Sequence, residues 1–235
     1  MKPFPLSLVF CSLALAVSSR AGETELFNGK DFAAWQTPGK PWTVVSSVAL
    51  DATNPKAFQT VPGTGVSLNS ADGKGADLVS KESFGDCRMH VEFCVPKGSN
   101  SGIYLMGRYE LQVLDSFGKD AVSVHDCGAI YERWKDNKGY EGTAPSVNAS
   151  KAPGEWQTFD VTFRAPRFDA AGKKIAPATF VKVVHNGTIV HENITCSGPT
   201  RGGAEEEVAS GPVRVQGDHG PVAYRSLKIS PLTAD

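Results

Sequence analysis

The chain has 235 residues, a length that suits one all-β domain or at most two small ones. Its formal net charge of −1 argues against binding to nucleic acid or to an anionic membrane surface, and favours a neutral or weakly polar substrate. The 24 glycines and 15 prolines indicate many turns between short strands rather than long helices.

The first 21 residues have the features of a secretion signal. Lys2 supplies a positively charged N-terminal region, and residues 6–17 form an apolar run. Ser19 and Ala21 are small residues at the two positions that a signal peptidase recognises. The run is too short to span a membrane as a helix. We therefore expect cleavage after Ala21 and an exported, periplasmic or extracellular protein. Its net charge becomes −3, because cleavage removes two basic residues and no acids.

Short runs of alternating apolar and polar residues predict β-strands along the remaining chain. The predicted strands begin at residue 42 and then cover residues 77–80, 86–95, 102–106, 109–114, 156–165, 213–216 and 224–229. Residues 51–76 are expected to be loops around one or two short strands. Residues 131–155 and the acidic, glycine-rich residues 197–211 are expected to be long surface loops. This pattern predicts an all-β fold, an antiparallel β-sandwich of the jelly-roll kind.

A further hairpin is predicted around Asn186-Gly187, which lies between two β-branched runs and favours a type I′ turn. With that turn, His185 would face Thr188. Val183 would face Val190, and Lys182 would face His191.

Four cysteines remain after cleavage: Cys87, Cys94, Cys127 and Cys196. Cys87 and Cys94 fall seven residues apart on one predicted strand, so they would be roughly 23 Å apart and cannot form a disulfide. Pairings with the other two stay open. The absence of C-x-x-C, H-x-H and H-E-x-x-H spacings argues against a metal site built from local residues.

Residues 99–128 carry an unusual density of polar side chains on predicted strands. Glu110 and Gln112 share one face of their strand, which we expect to be exposed, while Leu111 and Val113 share the apolar face. No second carboxylate follows on the polar face. This argues against a retaining glycosidase, which needs two carboxyl groups about 5–5.5 Å apart.

The five histidines divide into two groups by position. His125 and His219 lie in polar loops and are candidates for the site. His90, on a polar strand face, and His185 and His191, on the hairpin, are expected to be structural.

Several motifs occur together in the order of a known family. They are residues 26–31 (LFNGKD), 100–105 (NSGIYL), 109–115 (YELQVLD), 125–131 (HDCGAIY), 156–160 (WQTFD), and the closing Gln216, His219-Gly220 and Tyr224-Arg225. The chain resembles the 3-keto-disaccharide hydrolase family, also called the 3-keto-glucoside 1,2-lyase/3-keto-2-hydroxy-glucal hydratase domain. The resemblance covers nearly all of residues 22–235. It implies one catalytic domain with a concanavalin-like jelly-roll β-sandwich in an exported bacterial protein.

The resemblance also implies a reaction. Oxidation of a sugar at C3 acidifies the hydrogen on C2, so a general base can remove it and the C1 substituent can then be eliminated. Water can add afterwards to complete a net hydrolysis. Glu110 or His125 is the expected base. The expected substrate-binding residues are Asn100, Tyr104, Gln112, Gln216, His219 and Arg225. A divalent cation could stabilise the enediolate instead, and the sequence leaves its presence open.

Two other functions fit the same sequence. A non-catalytic carbohydrate-binding module would use aromatic platforms and would tolerate loss of Glu110 and His125. A laminarinase-like glycoside hydrolase would act on unoxidised glucans, although the missing second carboxylate argues against it. Release of an aglycone from a 3-keto-sugar substrate distinguishes these readings.

Overall fold

The computed structural model describes residues 22–36, 42–70 and 73–232. The expected secretion signal lies outside these residues. Within them the chain forms sixteen β-strands and no helix, so none of the described segments is a helix long and apolar enough to cross a membrane. The all-β prediction is confirmed.

The strands, numbered in chain order, form a large sheet, a small sheet and two short hairpins. They are β1 (Thr24–Phe27), β2 (Thr43–Leu50), β3 (Phe58–Leu68), β4 (Leu78–Phe84), β5 (Cys87–Cys94), β6 (Asn100–Leu105), β7 (Tyr109–Leu114), β8 (Arg133–Lys135), β9 (Lys138–Tyr140), β10 (Gln157–Arg164), β11 (Arg167–Phe168), β12 (Lys174–Ala176), β13 (Ala178–His185), β14 (Thr188–Cys196), β15 (Gly211–Val215) and β16 (Ala223–Pro231).

The large sheet has the order β14-β13-β10-β5-β16-β3-β2, and β1 pairs with β16 beyond the end of β3. The small sheet has the order β4-β15-β6-β7. All the pairings in both sheets are antiparallel, as expected for a jelly-roll sandwich.

The core lies between the two sheets because one face of each sheet is apolar. On β7, Tyr109, Leu111 and Val113 point inward, and the ring of Tyr109 packs 5.5 Å from the ring of Phe163 on the large sheet. Tyr224 reaches across the core from β16, and its hydroxyl lies 3.2 Å from Ser101 on β6. Residues that alternate with these must therefore point to the outer faces of the sheets.

Two regions predicted as loops are partly ordered into strands. β3 is eleven residues long and pairs along most of β2, although the sequence between residues 51 and 76 predicts mainly loops. Within residues 131–155, β8 and β9 form a short hairpin. These three strands were missed because their apolar residues are few and their outer faces are exposed, so alternation is weak.

The predicted turn at Asn186-Gly187 is present, and both residues have the positive φ angles that a type I′ turn requires. His185 faces Thr188 as predicted. The other two predicted pairs are wrong, because a bulge next to Val184 shifts the register and places Val183 opposite His191. A bulge adds one residue to one strand, and the sequence pattern gives no sign of it.

All four described cysteines are buried and unpaired. Burial raises the pKa of each thiol to about 12, so these cysteines behave as small apolar core residues. The prediction that Cys87 and Cys94 cannot pair is confirmed.

Candidate active site

A polar cavity opens on the outer face of the small sheet, the face turned away from the large sheet. Its volume is about 610 Å³ including its open mouth, within the usual range for a small-molecule site. Its lining residues are Asn100, Tyr104, Glu110, Gln112, Tyr131, Arg201, Gly202, Gln216 and His219. Six of the eight residues predicted for the site are therefore brought together here.

Strand pairing places the floor of the cavity. Tyr104 lies directly opposite Glu110, and Gly102 lies opposite Gln112 on the paired strands β6 and β7. Because all four belong to the outward-pointing set, they form one continuous polar surface. The predicted strand began at residue 102, but β6 begins at Asn100, which contributes to this surface.

Gly102 makes room for the carboxyl group of Glu110. A β-carbon on Gly102 would fall well inside van der Waals contact with Oε1 of Glu110. The carboxyl group therefore lies directly over the backbone of β6. A larger residue at position 102 would push it out of place.

Glu110 and Gln112 are each 3% exposed, which corrects the expectation that they lie on an exposed strand face. Two loops cover them by docking along the outer edge of β7. The backbone carbonyl of Glu110 accepts a hydrogen bond from the N–H of Tyr131, at 3.1 Å. Its N–H donates to the hydroxyl of Thr200, also at 3.1 Å. The covering loops are distant in sequence, so the alternation along β7 could not reveal them.

Burial gives Glu110 an unusual ionisation. Loss of contact with water raises the pKa of its carboxyl group to about 7, although a hydrogen bond from Tyr104 and the charge of Arg214 pull it down. Asp77 works in the same direction as burial. Glu110 is therefore a carboxyl group that can both accept and donate a proton near neutral pH.

Tyr104 and Tyr131 flank Glu110. Burial raises the pKa of both phenols, with the charge of Glu110 adding to the effect, so both stay protonated and can donate hydrogen bonds. The guanidinium of Arg214 stacks 3.8 Å from the centre of the Tyr104 ring, and its Nη2 donates to the carbonyl of Gly202 at 2.7 Å. These contacts fix the orientation of the Tyr104 ring beside Glu110.

The amide side chains of the cavity form their own network. Nε2 of Gln112 donates to Oδ1 of Asn100 at 3.2 Å and to the backbone carbonyl of His125 at 3.3 Å. Gln216 extends β15, and its N–H donates to the carbonyl of Gly102 at 2.9 Å. These bonds hold Asn100 and Gln112 at defined positions next to the carboxyl group of Glu110.

His219 stands at the mouth of the cavity on the loop between β15 and β16. Asn69 is fully buried and holds this loop with its amide, which donates to the carbonyls of Gly217 and Gly220 and accepts from the N–H of Val222. Nδ1 of His219 is hydrogen-bonded to the carboxylate of Asp218. That bond leaves Nε2 of the imidazole available to the cavity.

His125 is not part of the cavity lining. Its side chain is 54% exposed, lies beside Tyr131 with ring centres 5.4 Å apart, and contacts Glu132 through Nε2 at 3.2 Å. Its backbone carbonyl, which accepts the bond from Gln112, is what reaches toward the site.

Arg225 lies on the opposite side of the molecule from the cavity. Arg225 falls at a bulge of β16 between the core residues Tyr224 and Leu227, and its exposed side chain lies on the outer face of the large sheet. There it forms an ion pair with Glu92 and stacks over Trp156 at 4.6 Å. The expectation that it contacts substrate is not supported by this position.

Three lining residues were not singled out from the sequence: Tyr131, Arg201 and Gly202. Arg201 is the main cation of the cavity and is hydrogen-bonded to Tyr131. It stands in a loop whose neighbouring glutamates made the segment look like an acidic surface. Among the described residues, no group of three or more His, Cys, Asp or Glu side chains is arranged to hold a metal ion.

Comparison with known proteins identifies the family of this chain. Residues 22–230 match the 3-keto-alpha-glucoside-1,2-lyase-like domain family. A crystal structure from Parabacteroides distasonis ATCC 8503, described as a candidate glycosyl hydrolase, is 28% identical with a TM-score of 0.68, covering 90% of this chain and 84% of that one. A second such structure from that organism is 18% identical with a TM-score of 0.60, covering 91% and 95%, and supports the fold alone.

None of the curated proteins matches the chain in sequence. The family match nevertheless covers nearly all the described residues, and it confirms the resemblance read from the sequence motifs. The chain belongs to the 3-keto-alpha-glucoside-1,2-lyase-like domain family and is thereby a carbohydrate-active enzyme.

Proposed function

We propose that this protein cleaves 3-keto-glucosides by elimination, with Glu110 as the base that removes the proton from C2. The observation that carries this proposal is the position of Glu110, a buried carboxyl group on the floor of a polar cavity with a pKa raised to about 7. A general base is most effective when its pKa lies near the working pH.

The reaction begins at the carbon next to the ketone. The Glu110 carboxylate takes the C2 proton, and the electron pair of the C2–H bond forms an enediolate with its charge on O3. The enediolate then expels the C1 substituent, which leaves with the electrons of the C1–O bond. The product is a 2-hydroxy-3-keto-glucal with a C1–C2 double bond.

The charge on O3 requires donors that are already in place. The Arg201 guanidinium and the amides of Asn100 and Gln112 line the same cavity as Glu110. Asn100 and Gln112 are hydrogen-bonded to each other, so they are oriented before substrate binds. We assign Arg201 and these amides to the substrate oxygens, with Arg201 as the group that compensates the enediolate charge.

His219 is suited to donate a proton to the leaving oxygen. It lines the cavity, and Asp218 is hydrogen-bonded to its Nδ1, so Nε2 is the nitrogen left for the substrate. The same imidazole nitrogen could later take a proton from the water that adds to C1. Net hydrolysis then follows from elimination and hydration in one site.

A direct glycosidase mechanism has less support. Among the described residues that line the cavity, Glu110 is the single carboxylic acid, whereas cleavage of an unoxidised glycoside uses two. Elimination from a 3-keto-sugar needs one base and several hydrogen-bond donors, which is the set of groups present.

The test compares Glu110→Gln with wild type on a 3-keto-α-glucoside and on the same glucoside without the ketone. Removal of the base should lower kcat by about 10²- to 10⁴-fold, and wild type should act on the 3-keto substrate alone. Glu192→Gln, an exposed residue on β14, is the matched control and should keep wild-type activity. Undiminished activity of Glu110→Gln would exclude Glu110 as the base.

A further inference from the structure

A second cavity adjoins the first and has no assigned role in the reaction above. Its volume is about 720 Å³ including open solvent, and it is lined by the β8–β9 hairpin and by the loop around residues 199–205. Arg201 and Gly202 line both cavities. A substrate with its sugar over Glu110 therefore has a neighbouring space across these two residues.

Flat side chains dominate the walls of this second cavity. Trp134 is 41% exposed, and the guanidinium of Arg201 stacks 3.8 Å from the centre of one of its rings. Tyr140 is covered in the same way by Arg133, at 5.1 Å. Stacked aromatic and guanidinium planes recognise other planar groups by contact over their faces.

Two polar side chains of the cavity, Arg133 and Thr200, already form hydrogen bonds within the protein. Arg133 donates through Nη1 to Glu141 and to the hydroxyl of Ser197. The Thr200 hydroxyl donates to the carbonyl of Arg108 and accepts from the N–H of Glu110. A second sugar would lose water from several hydroxyl groups, and these two side chains offer it little in return, since the unpartnered Nε of Arg133 is itself buried. An aromatic ring has no such requirement.

The hairpin is held in place before any ligand binds. Its turn, Asp136-Asn137, has positive φ at both positions, as a type I′ turn requires. The N–H of Arg201 donates to the carbonyl of Glu132 at 2.8 Å, which joins the two walls of the cavity. Such a preformed surface loses little entropy on binding.

The chemistry proposed for the first cavity also favours an aromatic leaving group. The proposed elimination has one carboxylic acid, which serves as the base, so departure of the C1 oxygen receives no help from a second one. A phenolic oxygen is far more acidic than a sugar hydroxyl, with a pKa near 10 as in tyrosine. It leaves as a phenolate more easily and takes its proton from His219 or from water.

We propose that the second cavity is the leaving-group subsite and that it selects 3-keto-glucosides with a planar aromatic aglycone, which stacks at Trp134. This inference rests on the proposed function, because it takes the sugar to lie over Glu110. It assigns Trp134 and Tyr140 to specificity rather than to proton transfer.

The experiment measures kcat/KM for phenyl and methyl 3-keto-α-glucosides in wild type, Trp134→Ala, Trp134→Phe and Phe117→Ala. Phe117 is also an exposed aromatic residue, 56% accessible, and lines neither cavity. Trp134→Ala should lower the phenyl-to-methyl ratio about tenfold, Trp134→Phe should restore most of it, and Phe117→Ala should leave it unchanged. An equal loss for both substrates in Trp134→Ala would overturn the subsite and leave Trp134 as a support for Arg201.

Two further measurements complete the test. If a 3-keto-disaccharide loses more activity than the phenyl substrate in Trp134→Ala, the subsite takes a sugar and the proposed aromatic specificity is wrong. Binding of unoxidised phenyl α-glucoside by calorimetry needs no turnover. Weaker binding by Trp134→Ala than by wild type supports the subsite even if the proposed reaction fails, and equal binding overturns it.

Discussion

The outer faces of the two sheets carry similar residues but provide different environments. The small sheet presents Glu110 and Gln112, and the large sheet presents His90, Glu92 and Arg225. Glu110 and Gln112 alternate with core residues on β7, as His90 and Glu92 do on β5. On the small sheet, two loops dock against β7 and remove Glu110 from water. On the large sheet the polar side chains stay partly solvated and pair with each other.

The difference appears in the ionisation of the two glutamates. Burial raises the pKa of Glu110 to about 7, because the groups that stabilise its charge do not fully compensate. Burial also acts to raise the pKa of Glu92, but Arg225 and His90 outweigh it and the pKa is lowered. His90 in turn has a raised pKa, mainly through its 2.7 Å hydrogen bond with Asp160. Paired charges stabilise a surface, whereas a desolvated carboxyl group is available for chemistry.

Gly102→Ala should have the largest effect of the variants that distinguish the two faces. The added methyl group would occupy the position of the Glu110 carboxyl group and force it to move. A displacement of about 1 Å in a reacting group can cost about 100-fold in rate. We expect kcat on a 3-keto-α-glucoside to fall by about that factor while the circular dichroism spectrum stays that of a β-sandwich. A wild-type rate would show that the position of Glu110 over β6 does not matter.

Glu110→Gln and Glu92→Gln should have opposite effects on the free energy of unfolding at pH 8. The pKa of Glu110 is raised from 4.5 to about 7 by folding, so the folded protein disfavours the charged form of this carboxyl group. This costs free energy of folding that grows from pH 4.5 to about pH 7 and stays constant above it. Glu110→Gln removes that cost and should stabilise the protein by on the order of 3 kcal/mol at pH 8, with no gain at pH 4.

Glu92 gives the contrasting sign. Its folded pKa is lowered, so its stabilising contribution is present above the unfolded pKa and is lost as pH falls through the folded pKa. Glu92→Gln should therefore destabilise the protein at neutral pH. Urea unfolding of both variants at pH 4 and pH 8 makes the comparison, and the same sign for both at pH 8 would contradict the contrast between the faces.

His125→Ala should reduce kcat/KM by less than about tenfold, since a general base supplies at least 10²-fold. The imidazole packs beside Tyr131 and does not line the cavity, and the backbone carbonyl that holds Gln112 survives the substitution. The assay is the one used for Glu110→Gln. A loss as large as that of Glu110→Gln would make His125 the base and would require the loop to close over the cavity.

Arg225→Ala should show the smallest effect on catalysis. The ion pair with Glu92 is on the other sheet, so kcat/KM should stay within about twofold of wild type, while the loss of a partly exposed pair should cost at most about 1 kcal/mol of stability. A large loss of activity with an unchanged unfolding midpoint would place Arg225 in the reaction after all.

The sequence predicted the strands around the site well, because β7 alternates clearly and Leu111 and Val113 had to be buried. It also predicted that Glu110 and Gln112 share a face. It did not predict that this face is covered, since Thr200 and Tyr131 reach β7 from distant parts of the chain. Arg225 was predicted to bind substrate because it belongs to a shared motif. The sheet face on which it lies depends on the burial of its neighbour Tyr224 in the core, which the motif does not show.

The most direct test of the account follows the hydrogen on C2. A 3-keto-α-glucoside carrying deuterium at C2 is incubated with wild type, with Glu110→Gln and without enzyme, and the released sugar is analysed by mass spectrometry. Elimination breaks the C2–D bond, so wild type should release a sugar without deuterium at C2. It should do so faster than exchange with water removes deuterium from the substrate in the other two samples. Release of a sugar that retains deuterium at C2 would show that the C1–O bond breaks without deprotonation and would contradict the central role of Glu110.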